Sequence, residues 1–171
     1  MLIRAYGVFW HRDWVDWNPG QGGSYRLLGR VGSNRPGLKI ADFRLQLGIY
    51  VLHGNYGAYY VGLTEDHNRG FGGRLHDHTT DKHKDSWDKF SWFGFMGVSE
   101  KFKTDEGLNA LQEVNESIGM SLGSAIRDVE ALLIQILGTT NRNQTRFKDA
   151  EGWEQVSRYD ADDYLNKLGS S

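Results

Sequence analysis

Two runs of strand-forming residues joined by a turn constrain the fold of this chain most strongly. Residues 47–53 (LGIYVLH) and 58–64 (AYYVGLT) are rich in Tyr, Val, Ile and Leu, as strands are. Residues 54–57 (GNYG) lie between them, and Gly and Asn tolerate the positive φ angles of a tight turn. The pattern predicts a β-hairpin, and residues 90–98 (FSWFGFMGV) are a candidate for a third strand.

Three segments have the spacing of helices. Apolar residues recur every three to four positions over 106–118 and over Leu122–Leu137, and Gly138 follows the second segment as a natural stop. Residues 74–79 are predicted to form a short helix after a Gly-rich loop at 68–73. The expected fold class is therefore α+β, with a small three-stranded antiparallel sheet flanked by helices.

The N-terminal quarter of the chain is rich in Gly and Trp and is predicted to contain short strands at 1–9 and 25–31. We expect one globular unit in which residues 1–46 form an N-terminal extension. This extension packs on a domain that spans 47–171 and has its core at 48–148.

Composition limits both the class of protein and the kind of metal site. The chain has 171 residues, 39% of them hydrophobic, which suits one folded domain with a core. It contains no Cys, so disulfides and thiolate metal sites are excluded, and a metal ion needs oxygen or nitrogen ligands. No apolar run reaches the length of a membrane span, and the first residues lack the apolar core of a signal peptide. We therefore expect a cytoplasmic protein that does not act on membranes.

Charge is distributed unevenly, although the formal net charge is only −2. Such a distribution could form a basic patch that binds the phosphates of nucleic acid. The alternative is an ordinary solvated helix face of mixed charge. The basic side chains concerned are Arg69, Arg74, Lys82, Lys84 and Lys89, followed by Arg142, Arg146 and Lys148.

Several residues could carry chemistry. Glu130 interrupts the apolar stripe of its helix, where it could bind a hard divalent cation; taken alone, the pattern favours a boundary carboxylate that reaches solvent or an Arg. Arg74 and His78 lie four residues apart and would share a helix face. Tyr50 and Tyr60 lie on the two strands of the hairpin, where Tyr is usually a packing group with a solvated hydroxyl.

Five motifs occur together in one order, and that order resembles the GIY-YIG nuclease family. The resemblance covers 48–148, and residues 87–93 (WDKFSWF) also resemble a segment of standalone bacterial members. The motifs are GIY at 48–50, YVG at 60–62, RLHDH at 74–78, EALLI at 130–134 and NR at 141–142.

The resemblance implies hydrolysis of phosphodiester bonds with one divalent ion. Glu130 would hold Mg²⁺ or Mn²⁺, and Arg74 would bind a phosphate oxygen. Tyr50 would act as general base or position the water, with its pKa lowered by the nearby metal and Arg. Tyr60 and His78 would orient water or phosphate, and Asn141 would hydrogen-bond the backbone phosphate or the site. Two departures leave rivals, namely Arg69 for Arg74 and Asn143 for Asn141. The glycines at 48 and 62 would let the substrate approach the strands.

The expected function is a divalent-metal-dependent endonuclease whose partner is nucleic acid, with DNA preferred over RNA. Two alternatives stay open at this point. One is an RNA-cleaving toxin or defence effector, and the other is a nucleic-acid-binding module of the same fold that does not cut. No recognition helix, zinc finger or repeat reader is visible in the sequence.

Overall fold

A computed structural model describes residues 2–18, 25–113, 122–137, 147 and 150–169, without the side chains of residues 122–127 and 130. Ten strands and three α-helices lie in these ranges. None of these helices is long and apolar enough to cross a membrane. The elements in chain order are β1 (Ala5–His11), β2 (Leu28–Val31), β3 (Lys39–Asp42), β4 (Gly48–Gly54), β5 (Gly57–Thr64), α1 (Gly70–Asp77), β6 (Lys89–Gly94), β7 (Gly97–Lys103), β8 (Asn109–Gln112), α2 (Leu122–Leu137), β9 (Glu151–Gly152), β10 (Glu154–Gln155) and α3 (Ala161–Gly169).

The strands form two mixed sheets of five strands each. The first sheet has the order β5-β4-β6-β1-β9, and only the pair β1–β9 is parallel. The second sheet has the order β10-β2-β3-β8-β7, and only the pair β3–β8 is parallel. The predicted hairpin is present as β4 and β5, at one end of the first sheet.

The predicted fold class is wrong, because the protein is mostly β-structure rather than a small three-stranded sheet flanked by helices. Strand β1 inserts between β6 and β9 and pairs with residues at least 78 positions away, as His11 does with Lys89. Strands β2 and β3, with β7, β8 and β10, build an entire second sheet. These pairings are long-range, and local periodicity carries no information about them. The division of the chain at residue 46 stays a prediction.

The third predicted strand, 90–98, is divided between the two sheets. Strand β6 ends at Gly94, and β7 begins at Gly97 on the other sheet. The buried side chain of Gln46 binds both backbone groups of Met96, donating to its carbonyl at 3.0 Å and accepting from its N–H at 2.9 Å. A side chain thus satisfies the backbone where the chain leaves the first sheet.

The predicted helix over 106–118 is also wrong in its described part. Gly107 has a φ of 80°, which ends any regular helix there, and Thr104 and Leu108 are joined by a backbone hydrogen bond of 2.8 Å that closes a turn. Residues Asn109–Gln112 then form β8. Residues 114–118 lie outside the described residues. By contrast, the helix predicted over Leu122–Leu137 is present as α2.

The two faces of the first sheet pack against different helices. Tyr50 and Leu52 of β4 join Phe71 and Leu75 of α1 in the largest apolar core, together with Trp10 and other residues from both sheets. Val51, on the opposite face of the same strand, packs in a separate cluster that contains Ala131 of α2. Helices α1 and α2 therefore lie on opposite sides of the sheet.

Candidate functional site

A cleft of about 520 Å³ opens between the hairpin and the end of α1. Four of the residues predicted from the sequence to carry chemistry line it together: Tyr50 from β4, Tyr60 from β5, Arg74 from α1, and His78 directly after α1. The rest of the lining consists of Ile49, Val61, Gly62, Leu63, Asp77 and Asp81.

Tyr50 is held in the cleft wall by close packing. Its side chain is only 2% exposed, and its ring meets Phe71 edge-on at a centroid distance of 6.1 Å. A Cβ atom placed at Gly62 would overlap the Tyr50 ring and hydroxyl. Gly62 is therefore required to make room for Tyr50, which differs from the expectation that it admits substrate. Gly48 has a φ of 143° and lies against the carbonyl of Phe93 in the neighbouring strand, so it also serves packing.

Three polar side chains form a hydrogen-bonded chain along the cleft wall. The Tyr50 hydroxyl lies 2.9 Å from Nε2 of His78, and Nδ1 of His78 lies 2.7 Å from Oδ2 of Asp81. Both ring nitrogens of His78 are thus engaged, and its ring orientation is set from both sides. His78 is only 8% exposed, so its two hydrogen bonds are shielded from solvent.

The environment of Tyr50 does not favour a phenolate. Burial raises the pKa of Tyr50 above its ordinary value, and the neighbouring Tyr60 adds to the effect. The positive charge of Arg74 opposes this shift and offsets only part of it. The direction is opposite to the lowered pKa that a Tyr general base needs, so the hydroxyl is suited to hydrogen bonding in its neutral form.

The structure separates the two rival arginines. Arg69 is paired with Asp77, because one of its guanidinium nitrogens donates to both carboxylate oxygens at 2.8 and 2.7 Å. Arg74 is exposed, lines the cleft, and forms no salt bridge within the described part of the chain. The pair with Arg69 also satisfies the charge of Asp77, the nearest acid on the same helix. Arg74 is therefore the cation that the cleft can offer to an anion.

Tyr60 belongs to an aromatic group that continues beyond the cleft. Its ring lies 5.0 Å from that of His78 and 4.9 Å from that of His83, between ring centroids. Nδ1 of His83 in turn forms a hydrogen bond of 3.0 Å with the Tyr59 hydroxyl. The two neighbouring tyrosines of β5 thus contact the same loop from different sides.

A group of potential metal ligands follows α1 directly. Single ligand atoms of His78, Asp81 and His83 all lie within 4.8 Å of one another. Burial disfavours ionisation of Asp81, but the backbone N–H of His83 and the His78 side chain outweigh it, so the pKa of Asp81 lies below its usual value. Sequence reasoning selected neither Asp81 nor His83 as a site residue. The spacing H-x-x-D-x-H at 78–83 is the signal that could have found the group.

Two predicted site residues are not placed in the cleft. Asn141 and its rival Asn143 lie outside the described residues, and so does the side chain of Glu130. The helix that carries Glu130 packs through Ala131 against Val51 and Phe93, on the face of the sheet opposite to Tyr50. The assignment of Glu130 as metal ligand stays a prediction.

A larger cleft, of about 660 Å³, lies beside the second sheet. It contains none of the residues predicted to carry chemistry, and its two arginines are paired, Arg26 with Glu106 and Arg44 with Asp42. Volume alone therefore does not select it as the site.

Comparison of the chain with models of protein families, with curated proteins and with solved structures finds no match of any kind. The resemblance to the GIY-YIG family, the nuclease activity and the requirement for Mg²⁺ or Mn²⁺ therefore stay predictions. What supports a function is the geometry of the cleft itself.

Proposed function

We propose that the protein hydrolyses phosphodiester bonds of nucleic acid with the help of a divalent ion, and that DNA is its preferred substrate. One observation carries the proposal: an arginine that pairs with no carboxylate among the described residues faces a cleft lined by two tyrosines and an oriented histidine. These groups come from two strands and a helix, and core packing alone does not require them to meet.

Arg74 binds the scissile phosphate. Its planar guanidinium offers several N–H donors that match two non-bridging oxygens. No acid in the described ranges forms a salt bridge with it. As the water oxygen attacks phosphorus and the bond to the leaving oxygen breaks, negative charge grows on these oxygens. Arg74 is exposed and can follow this change, so it contributes to both binding and turnover.

Tyr50 acts through its neutral hydroxyl. Its pKa is raised by burial, which makes proton abstraction from water at neutral pH unfavourable for this group. The His78 ring and the Phe71 contact fix the hydroxyl in one position, where it can donate to or accept from the reacting oxygens. Of the two roles expected from the sequence, general base or positioning of the water, the raised pKa favours the positioning role. Tyr60, half-buried on the adjacent strand, lines the same wall.

A divalent ion, when bound, supplies Lewis acidity to the phosphate and to the attacking water. The net charge of the chain is −2, so local cations must provide the attraction for the rest of the nucleic acid. Lys82 and Lys84 are exposed on the loop that borders the cleft after His78. Binding should therefore weaken steeply with added salt.

The decisive experiment is a cleavage assay with four substrates: supercoiled plasmid, linear duplex DNA, single-stranded DNA and RNA. Each is incubated with Mg²⁺, Mn²⁺ or Zn²⁺, and with a chelator. The proposal expects nicking and linearisation of the plasmid that the chelator abolishes. Preferred cleavage of RNA would support the alternative of an RNA-cleaving effector.

Arg74→Ala and Arg158→Ala form a matched pair for this assay. Arg158 is exposed, stacks on the ring of Tyr159, and lines none of the clefts described above. Only the Arg74 variant should lose activity. Salt-sensitive binding without any cleavage would move the protein to the class of non-cutting binding modules. The absence of both binding and cleavage would refute the proposal.

A further inference from the structure

The loop after α1 is a rigid frame for side chains. Consecutive turns close it through backbone hydrogen bonds from Asp81 to Asp77 at 3.0 Å, from Lys84 to Asp81 at 3.1 Å and from Ser86 to His83 at 2.9 Å. The indole of Trp87 anchors the loop to the core by donating to the carbonyl of His78 at 3.0 Å. The backbone of this loop therefore fixes the positions from which its side chains project.

Three ligand-type side chains converge within this frame. His78 Nδ1 and Asp81 Oδ2 are 2.7 Å apart, and an atom of His83 completes a set whose members lie within 4.8 Å of one another. Ligand atoms of one metal ion lie about 2 Å from it and hence up to about 4 Å apart, so small rotations of these side chains would bring all three to one ion. We infer that His78, Asp81 and His83 bind a divalent transition-metal ion of the class that Zn²⁺ represents, in preference to Mg²⁺.

Each ligand is oriented by a second partner on the side away from the proposed ion. Nε2 of His78 is bonded to the Tyr50 hydroxyl, and Nδ1 of His83 is bonded to the Tyr59 hydroxyl. Oδ1 of Asp81 accepts from the backbone N–H of His83 at 2.7 Å. The ion would replace the proton between Nδ1 of His78 and Oδ2 of Asp81, which are hydrogen-bonded to each other in its absence, and Nε2 of His83 is the third ligand atom. Metal-binding histidines in proteins commonly have such an outer partner on the second ring nitrogen.

The donor set selects the class of ion. Two imidazoles and one carboxylate suit Zn²⁺ and similar ions, whereas Mg²⁺ takes oxygen ligands and keeps most of its water. Three protein ligands leave at least one coordination position free, which is the arrangement of catalytic rather than structural zinc. His78 and Asp81 line the same cleft as Arg74, so an ion held by them would be accessible from the cleft.

Binding of the ion at Nδ1 of His78 also determines the state of Tyr50. With Nδ1 occupied, the ring proton resides on Nε2 and donates to the Tyr50 oxygen. The proton of the Tyr50 hydroxyl is then directed into the cleft, where it can donate to an oxygen of a bound anion. The ion and the tyrosine thus act on the same bound anion. The metal site itself rests on geometry and does not depend on the proposed phosphodiester chemistry.

Calorimetric titration of the chelator-treated, full-length chain with ZnCl₂, MnCl₂ and MgCl₂ tests the inference. We expect one Zn²⁺ per chain, and Mg²⁺ at millimolar concentration should not displace it. Asp81→Asn and His83→Asn should each weaken Zn²⁺ binding by about 100-fold or more, and Tyr59→Phe by about 10-fold, as loss of an outer partner does. Zn²⁺ should raise the melting temperature of the wild type but not of the two ligand variants.

Two matched variants complete the design. His67→Asn removes an exposed histidine that pairs with Glu113 outside the group, and it should bind Zn²⁺ like the wild type. Glu130→Gln tests the metal ligand predicted from the sequence. The inference is overturned if Zn²⁺ does not bind saturably, if Mg²⁺ binds more tightly, or if Glu130→Gln abolishes binding while the Asp81 and His83 variants retain it. Melting of the metal-free variants shows whether each one is folded.

The two proposals fail in different ways. Stoichiometric Zn²⁺ binding that depends on Asp81 and His83, without cleavage of any nucleic acid, refutes the nuclease and leaves the metal site standing. Metal-dependent cleavage, together with Zn²⁺ binding that is unchanged in Asp81→Asn and His83→Asn, refutes the metal site and leaves the nuclease standing.

Discussion

Acidification should destabilise the protein through one buried histidine of the first sheet. His53 lies on β4 and is only 4% exposed. Its Nε2 lies 2.9 Å from the Ser91 hydroxyl, which also accepts from the backbone N–H of Phe9, and the Phe9 ring lies 4.7 Å from the imidazole. Burial lowers the pKa of His53 from 6.5 to about 4, with Asp88 opposing and Lys89 assisting the shift.

The sign and size of the effect follow from this pKa. The unfolded chain takes up the proton near pH 6.5 and the folded chain only near pH 4, so between these values the unfolded state binds more protons. The contribution of neutral His53 to stability is complete above pH 6.5 and is lost as the pH falls to 4. The difference corresponds to about 3 kcal/mol of unfolding free energy, a large part of what a domain of this size has.

Urea unfolding followed by Trp fluorescence at several pH values between 7.5 and 4 measures this loss. His53→Gln cannot titrate but can still hydrogen-bond Ser91, so its stability should fall by about 3 kcal/mol less than that of the wild type over the same range. His67→Gln, which removes an exposed histidine, should behave like the wild type. Carboxylates contribute equally to all three proteins and cancel in the comparison.

A direct titration provides the refutation. The ring proton signals of His53, assigned by their absence in His53→Gln, should keep their neutral chemical shifts down to about pH 5. If His53 titrates near pH 6.5 in the folded protein, or if His53→Gln has the same pH dependence of stability as the wild type, the reasoning from burial is wrong.

Three further substitutions test the cleft. Tyr50→Phe removes a hydroxyl that is held in position but not ionised. Turnover on the best substrate should fall about 10²–10³-fold, as for loss of one transition-state donor, and the pH–rate profile should keep its shape. An unchanged rate would exclude the positioning role. Arg74→Ala should lower kcat/KM by about 10- to 100-fold and weaken binding measured by fluorescence anisotropy, because charge-assisted hydrogen bonds are lost; a lowered kcat with unchanged affinity would contradict ground-state phosphate binding. Gly62→Ala places a methyl group against the Tyr50 ring and should cost about 1–3 kcal/mol in urea unfolding, and a fully stable variant would show that Tyr50 can move aside.

Local sequence signals predicted the elements that local interactions form. The turn residues 54–57 (GNYG) and the flanking strand-forming runs predicted the β4–β5 hairpin, because the turn itself sets the pairing. The apolar stripe and terminal glycine predicted α2. In α1 the helix begins at Gly70, four residues before the predicted start, because the glycines at 70 and 72 pack against the backbone and side chain of Arg44 and tertiary contact overrides their low helix propensity.

The candidate site was partly readable in the same way. Tyr50, Tyr60, Arg74 and His78 were selected by residue type and order, and the cleft contains all four. The sequence did not show which role Tyr50 plays, because its pKa is governed by burial against residues distant in sequence. Asp81 was overlooked because a carboxylate in a polar loop is an ordinary surface residue until the turns bring it to His78 and His83.

The sequence by itself thus determined the hairpin, the long helix and four of the polar side chains that line the cleft, because turn chemistry, periodicity and donor type are properties of short segments. Only the tertiary structure decided the fold class, since the two five-stranded sheets depend on pairings such as β1 with β9 and β3 with β8. It also decided which arginine is available, through the Arg69–Asp77 pair, and which face of the sheet carries α2. Distant strands stabilise the fold only after the chain has closed the long loops between them. A local sequence pattern therefore does not predict which strands pair.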